Sequence, residues 1–460
     1  MVRRERTDDA SATDRSNRRA VLKALGAAGT VGLGTLAGCT TADGGDGDGG
    51  DSGDGGDSGD GGDSGDSGDG GDSGDTGGTT QGTPEPSIGT VNYGVLNPMT
   101  GPYAALAEQQ RQGARLAVNW VNESDEFDFE IEATYGDTRA ETEAGQQAAT
   151  RAIQQDDADF LMGAISSSVA LGLNTIALDQ EVIYNPGGAA IPITGSQCNE
   201  YVFRAETNTA QNARGSAIWT MENLGENIHF HIADYAYGRS VLSEWRKLLE
   251  PEGFNEVGVT RADLGETNFD PYISEISNTD ADVVVVGSTG GDLVNFIRQA
   301  HSAGLKDQMD IMTTAGTFQS IRAGVGETGY GVYGGTRYVY QIETGDNQEF
   351  VSRFRDEYDG NPDNFARVAF DSIRMTAHGI QEAGTNDPTE VKDVLPDLEV
   401  PSLFDPNNFR ACDHQATNPI WIGQNVEPDE GETPAVNLIT KREGADVIPP
   451  CGETGCDMGS

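Results

Sequence analysis

Lysine is almost missing from this sequence, and cations of either kind are scarce. Of 460 residues only Lys23, Lys247, Lys306, Lys392 and Lys441 are lysine; 29 Lys and Arg stand against 75 Asp and Glu, a formal net charge of −46. A surface that acidic repels phosphate backbones and anionic headgroups, which excludes nucleic acid and anionic lipid as partners. Histidine is sparse as well, limited to His229, His231, His301, His378 and His414. His229 and His231 lie two apart on an expected strand and share one face. No cysteine or carboxylate cluster stands beside them, so packing is expected there rather than a metal, and no cofactor is expected anywhere. Neither HExxH nor GxSxG occurs. The run Gly324–Gly329, GVGETG, fits GxGxxG but follows a helix, where a nucleotide fingerprint must follow a strand.

The acid excess continues through the folded part, as in NESDEFDFEIE and EPDEGE. An acidic, lysine-poor surface suits molar salt, which screens repulsion over about 3 Å. The composition resembles that of proteins from salt-loving archaea.

The first 86 residues or so lack the composition of a folded domain. Arg18-Arg19-Ala20-Val21-Leu22-Lys23 leads into ALGAAGTVGLGTLAG, an apolar run too short to span a bilayer stably. The paired arginines resemble the twin-arginine export signal, and Leu36-Ala37-Gly38-Cys39 resembles a lipobox, which would make Cys39 the lipidated first residue of the mature chain. Residues 1–39 are therefore expected to be a targeting segment. Residues 40–86 form a Gly/Asp/Ser linker with no apolar residue beyond Ala42, so it cannot bury a core. Its expected reach is roughly 40 Å or more, enough to hold the folded part clear of a membrane.

Folded sequence begins near Ile88. A strand is expected at 91–96, a turn at NPMTGPY, a helix at 104–121, a strand at 129–135 and a helix at 139–154. ADFLMG is a short apolar run bounded by polar residues, the pattern of a buried parallel strand. Ser166, Ser167 and Ser168 then open the helical stretch VALGLNTIALD, where serines are expected to cap free N–H groups. A strand at 182–185 ends in Pro186-Gly187-Gly188-Ala189. Two strand ends side by side, one finishing in hydroxyls and one in bare backbone, form a crevice at the carboxyl edge of an open sheet, where small molecules bind.

A second series follows: helix 210–224, strand 228–233, helix 238–249, strand 257–261, helix 271–278, strand 282–287, helix 293–303 and strand 309–313. This alternation predicts doubly wound parallel sheets, and two series of similar length predict two lobes. The stretch 331–341 is expected to cross back, and helices at 348–358 and 365–382 to complete the first lobe. Beyond Pro388 the pattern is irregular until a last hairpin from FRACDHQATNPIWIG and AVNLITKR. The expected division is 87–205 and 341–410 for lobe 1, 206–340 and 411–445 for lobe 2, and a tail at 446–460. Asn122-Glu123-Ser124 is a glycosylation sequon in an expected surface loop.

The order TGPY, GAISSSVA, NPGGAA, ADYAYG, GSTGGDLVNFIRQAHSAGLK resembles the type I periplasmic binding proteins, closest to the leucine/isoleucine/valine- and amide- or urea-binding receptors of ABC importers. The resemblance spans Ile88 to about Gly423. It implies two Rossmann-like α/β lobes joined by three crossovers, no catalysis, and a small solute held in the cleft and handed to a permease with its ATPase. Position by position it implies a ligand shell of Tyr103, Ser166, Ser167, Gly187, Ala189, Tyr237 and Thr289, with Phe365 as an apolar wall. Two positions depart from the amino-acid binders. Ala189 stands where they carry a threonine for the α-carboxylate, and Ala315 where they carry a glutamate for the α-ammonium. Unless Asp234 or Asp292 reaches the cleft, a buried ammonium would lack its partner at a cost of several kcal/mol, so an amide, urea or carboxylate is at least as well matched.

With Cys39 lipidated, Cys198, Cys412, Cys451 and Cys456 remain, which allow three pairings or free thiols. CGETGC suggests a local Cys451 to Cys456 loop, leaving Cys198 near the first crossing to meet Cys412 near the third. The expectation is a lipid-anchored, monomeric receptor at the outer face of the membrane. Its rivals are a sensory receptor of the same fold and a surface hydrolase using Ser167.

Overall fold

The computed structural model describes residues 88–428 and 435–458; the targeting segment with Cys39, the linker, and six residues of the EPDEGE loop region lie outside the described residues. The first lobe is built on β1 (Gly89–Asn97), α1 (Ala104–Glu123), β2 (Phe129–Asp137), α2 (Thr142–Gln155), β3 (Phe160–Gly163), α3 (Ser167–Gln180) and β4 (Ile183–Pro186). Its four strands are parallel in the order β2-β1-β3-β4. β3 and β4 are buried throughout because helices cover both faces, whereas the edge strand β2 begins by alternating buried Phe129 and Ile131 with exposed Glu130 and Glu132.

The second lobe takes α4 (Thr209–Leu224), β5 (Asn227–Ala233), α5 (Ala236–Leu249), β6 (Asn255–Ala262), α6 (Asp270–Ser277), β7 (Val283–Gly287), α7 (Gly290–Ser302), β8 (Asp310–Thr313), α8 (Gln319–Val325) and β9 (Tyr333–Thr336). At the centre of its sheet, Val284 and Val286 of β7 enter the core on one face while Val283 and Val285 enter the core on the other. A strand has period two, so a run of four valines has to be covered on both sides. The chain then returns as α9 (Asn347–Tyr358), α10 (Asn364–Ala383) and α11 (Pro388–Val394) before β10 (Ile420–Val426) and β11 (Ala435–Arg442) close the second sheet in the order β11-β10-β9-β8-β7-β5-β6. Its last two strands run antiparallel. α10 packs along α1, burying Phe370 and Ile373 in the first core, so the chain passes between the lobes three times. The two-lobe α/β architecture is the one the alternation predicted.

Local departures have local causes. α2 starts at Thr142 rather than 139, because Arg139 and Ala140 adopt left-handed backbone (φ 52° and 58°) around the Asp137 carboxylate, which accepts from Arg139 N at 2.8 Å and Met99 N at 3.0 Å. The Ser166 hydroxyl, expected to cap α3, makes no capping bond. α11 lay in the stretch read as irregular, although Asp387 caps it by accepting from Thr389 N at 2.8 Å and Pro388 takes its first turn. The Asn122 amide clamps the backbone of Ile131 through both its atoms, at 2.8 and 3.0 Å. The expected local Cys451–Cys456 loop does not form. The tail runs past the first and third crossings, held by Arg410 Nη1 donating to Pro449 O at 2.8 Å. There it presents Cys456 to Cys198 and Cys451 to Cys412, at Cα separations of 5.6 and 6.0 Å.

Non-reducing peptide mapping should therefore recover Cys198–Cys456 and Cys412–Cys451, and a Cys451–Cys456 peptide would contradict this path. Replacing Cys412 and Cys451 by serine should cost about 4 kcal/mol by the loop-entropy estimate. A second prediction concerns pH. His231 shares Thr260 Oγ1 with His229 and stacks on Phe296, and burial followed by the neighbouring His229 lowers it to about 3. Its folded value lies below the unfolded one near 6.5, so its contribution is intact above that pH. It is lost as pH falls toward the folded value, by up to about 1.4 kcal/mol per pH unit. In a His231→Asn variant the fall in Tm between pH 7 and pH 5 should be shallower than in the wild type.

Candidate functional site

In parallel sheets the loops leaving the carboxyl ends of the strands converge, and here both lobes point those ends at each other. From the first lobe, β3 turns at Gly163 and Ala164 into Ile165, and β4 runs into Gly187, Gly188 and Ala189. Ser167 Oγ ties these two turns together by accepting from Ala190 N at 3.1 Å. From the second lobe, Tyr235 and Tyr237 follow β5, Ser288 and Thr289 follow β7, Thr314 and Ala315 follow β8, and Arg337 follows β9. Between them lies a narrow cavity of about 10 Å³, room for about one water, lined by Ile165, Gly187, Ala189 and Phe365 of the first lobe and by Tyr235, Tyr237, Thr289, Ala315, Phe318 and Arg337 of the second.

The lining has one charged group. Arg337 is 2% exposed, with its guanidinium 5.4 Å from the Phe318 ring centroid and 5.7 Å from that of Tyr237. Its Nη2 donates to Tyr237 OH at 2.8 Å, and Tyr237 OH in turn meets Thr314 Oγ1 at 2.7 Å. Its Nη1 lies 3.5 Å from Glu206 Oε1, while its Nε has no hydrogen-bond partner among the described residues. Burial alone would lower this guanidinium, but Tyr237 and Glu206 hold it above its usual range, fully charged. At the other end Tyr103 OH donates to Tyr235 OH, and the buried Thr289 hydroxyl is unpartnered.

Among the described residues no carboxylate lines this cavity. Asp234 pairs with Arg239 at 2.8 Å on the outside of the lobe. Asp292 accepts from Gly265 N at 3.0 Å beneath the wall, and burial raises it to about 6. Ala315 lines the cavity as a bare methyl. Five of the eight residues expected in the ligand shell, Gly187, Ala189, Tyr237, Thr289 and Phe365, line this cavity. Tyr103 touches it through Tyr235. Ser166 and Ser167 stand behind the wall, the second spent on the backbone of Ala190. A Cβ at Gly187 would sit 2.4 Å from Gln110 Nε2, so a side chain there requires the Gln110 amide to shift. Tyr235, Phe318 and Arg337 were not singled out from the sequence. The available signal was Arg337 itself, a lone cation inside GVYGGTRYVYQ in a chain short of cations.

The lobes touch across the cleft mouth. Gly291 N donates to Pro102 O at 3.1 Å, and Gly290, at φ 63°, allows that approach because a Cβ there would run into Pro102 O and the Tyr103 ring. On the opposite rim the Asp363 carboxylate, which opens α10, accepts from Ser320 N at 2.8 Å and from Ser320 Oγ.

A family model described as periplasmic binding protein matches residues 90–431. Leu/Ile/Val-binding protein homolog 3 of Brucella melitensis is 26% identical over 218 residues, 47% of this chain and 59% of that relative's own length. Leu/Ile/Val-binding protein homolog 1 of Brucella suis is 25% identical over 327 residues, 68% of this chain and 86% of the relative. Among solved structures, a solute-binding protein of an ABC transporter from R. palustris in complex with benzoate superposes with a TM-score of 0.71 at 22% identity, covering 80% of this chain and all of the other. At that identity the likeness is one of fold.

Removing the Ser320 hydroxyl by Ser320→Ala leaves the Asp363 cap of α10 in place and weakens only the contact between lobes. Small-angle scattering of the unliganded variant should show a larger population of open molecules, and ligand affinity should fall about fivefold, near 1 kcal/mol.

Proposed function

We propose that this chain, which belongs to the periplasmic binding protein family, is a solute receptor whose two lobes close on an aromatic monocarboxylate and deliver it to an ABC permease. It binds and does not catalyse. The observation that carries the ligand class is Arg337, the one charged residue of the lining, whose Nε has no hydrogen-bond partner among the described residues. Elsewhere in the molecule the Nε–Nη2 edge of arginine is the one that grips carboxylates, as Arg246 does with Glu256 at 2.7 and 2.6 Å. In Arg337, which lines the cavity, Nε is unpartnered and Nη2 donates to Tyr237 OH at 2.8 Å. A ligand carboxylate would complete the bidentate pair. Tyr235, Tyr237, Phe318 and Phe365 supply flat apolar surface for a ring.

An α-amino acid fits less well. Its carboxylate could take Arg337, but its ammonium would be buried against Ala315, Thr289 and tyrosine hydroxyls with no counter-charge, at several kcal/mol. Neutral amides and urea would leave Arg337 with Glu206, which Arg367 shares, as its counter-charge. The benzoate held by the structural relative supports the aromatic acid, whereas the names of the curated relatives point to branched-chain amino acids, so the two classes must be compared directly. The surface hydrolase has no support in the geometry: Ser167 is committed to Ala190 N, and among the described residues no histidine or carboxylate lines the cavity.

The finer placement is carried by the sequence. The twin-arginine and lipobox motifs support folded export and anchoring through Cys39 at the outer face of the membrane, and the acidic, lysine-poor composition supports a saline medium. Among the described residues no helix is long and apolar enough to cross a membrane.

Calorimetric titration in molar salt with benzoate, benzamide and leucine tests the ligand. Benzoate should bind and the others should not, and Arg337→Met should weaken benzoate about 100-fold or more. Leucine binding more tightly than benzoate would overturn the assignment.

A further inference from the structure

Near its carboxyl end the chain touches both lobes within one short turn. The two ends of that turn are fastened by disulfides: Cys451 is bonded to Cys412 of the third crossing and Cys456 to Cys198. Cys198 belongs to the first lobe, because Asn174 of α3 holds the segment around it. Asn174 Nδ2 donates to Ile193 O at 2.8 Å and to Gln197 O at 2.9 Å, and Asn199 Nδ2 donates to Asn174 O at 3.0 Å. Gly195 of that segment lies so close to the turn that a Cβ there would sit 2.5 Å from Thr454 O. The turn is also braced internally. Thr454 Oγ1 donates to Cys451 O at 2.9 Å and accepts from Cys456 N at 3.2 Å, while Glu453 N donates to Pro450 O at 2.9 Å.

Glu453, between the two disulfides, faces the second lobe. Its Oε2 lies 2.8 Å from Arg214 Nη2 on α4 and 3.2 Å from Lys247 Nζ on α5. Lys247 and then Arg214 hold this carboxyl below its usual range. Glu244 of α5 is the other acid close to these two cations. α5 lies against the first lobe here, since Ser240 Oγ accepts from Ile191 N at 2.9 Å. The turn is thus covalently bound to the first lobe and the third crossing, and bound to the second lobe by charge alone.

We infer that the turn of residues 451–456 is a clip across the two lobes, and that Glu453 is a positioning residue whose grip on Arg214 and Lys247 favours the closed arrangement. The inference rests on the reading that the lobes open and close about the crossings, and not on the ligand class. When the second lobe swings away, Arg214 and Lys247 move with their helices. Glu453 cannot follow, because a disulfide fastens the chain within three residues on either side of it. Opening therefore stretches two ion pairs that closing restores. Their separations are close to the Debye length of about 3 Å in molar salt, so both persist where longer-range attraction is screened. Glu453 does not line the cavity. It acts on affinity through the fraction of molecules already closed.

The test uses the full chain in molar salt with two readouts: the open population without ligand, from small-angle scattering, and benzoate affinity, from calorimetric titration. Glu453→Gln should raise the open population and weaken benzoate about threefold. Glu453→Arg should do both more strongly, and Glu453→Arg/Arg214→Glu, which exchanges the charges, should bring both readouts back toward the wild type. Reducing both disulfides with a phosphine unfastens the turn, so reduced wild type and reduced Glu453→Gln should behave alike. A Glu453→Gln variant with a lower Tm but an unchanged open population would overturn the inference, as would a gap between the two proteins that survives reduction. A wild type that ignores benzoate would remove the ligand assignment and leave scattering to decide on the clip. Should the reduced proteins unfold, the charge exchange carries the test.

Discussion

One carboxylate shared by two buried guanidiniums holds this molecule's working parts together. Glu206 lies on the first crossing, Arg337 at the second beside the cavity, and Arg367 on α10, which belongs to the packing of the first lobe. A buried ion pair is a weak source of stability, because desolvation consumes most of the Coulombic gain. Its value here is specificity of arrangement. Guanidiniums this deep cannot be left alone, so the crossings must return to the same positions each time the chain folds.

The third crossing is laced to the first by direct bonds. Arg204 N donates to His414 O at 2.9 Å, Gln415 Nε2 to Glu206 O at 2.8 Å, and Asn418 Nδ2 to Ala205 O at 2.8 Å. The tail then pins this region covalently through Cys198–Cys456 and Cys412–Cys451. Such a hinge can bend but has little freedom to shear. The lobe contacts at Gly291 and Ser320 lie on the rims, away from it, and a closing motion makes and breaks them. The molecule therefore separates two tasks: buried charge and covalent bonds fix the axis, and a few hydrogen bonds and exposed ion pairs govern opening.

The distribution of charge follows the same division. A chain of net charge −46 keeps most of its acid on the surface, where salt screens it, and buries five of its 29 basic residues, Arg204, Arg322, Arg337, Arg367 and Arg374, where screening ions do not enter. An anionic ligand is repelled by the exterior and welcomed by the interior. High ionic strength weakens the first effect much more than the second, because a dry pocket excludes the screening ions.

Much of the fold could be read from sequence because local rules decide it. VVVVG announces a strand buried on both faces, the alternation of strands with short helical links announces parallel sheets, and the glycines after β4 announce a bare-backbone crevice. The linker is legible for the same reason: a Gly/Asp/Ser run without apolar residues cannot bury a core. The absence of a threonine at Ala189 and of an acid at Ala315 could also be read from the resemblance, and with it the poor fit of an α-amino acid. What the sequence could not decide was pairing across distance. Cys451 and Cys456 look like partners because they are close in the chain, yet the tail's path past two crossings gives each a different partner. Ser166 and Ser167 look like ligand contacts because helix starts bind polar groups, yet Ala190 N claims one hydroxyl. Arg337, Glu206 and Arg367 are separated by 131 and 161 residues of chain, and no periodicity links them. Only the folding of two sheets about three crossings brings those charges within 4 Å, and that meeting, rather than any single motif, places Arg337 at the cavity.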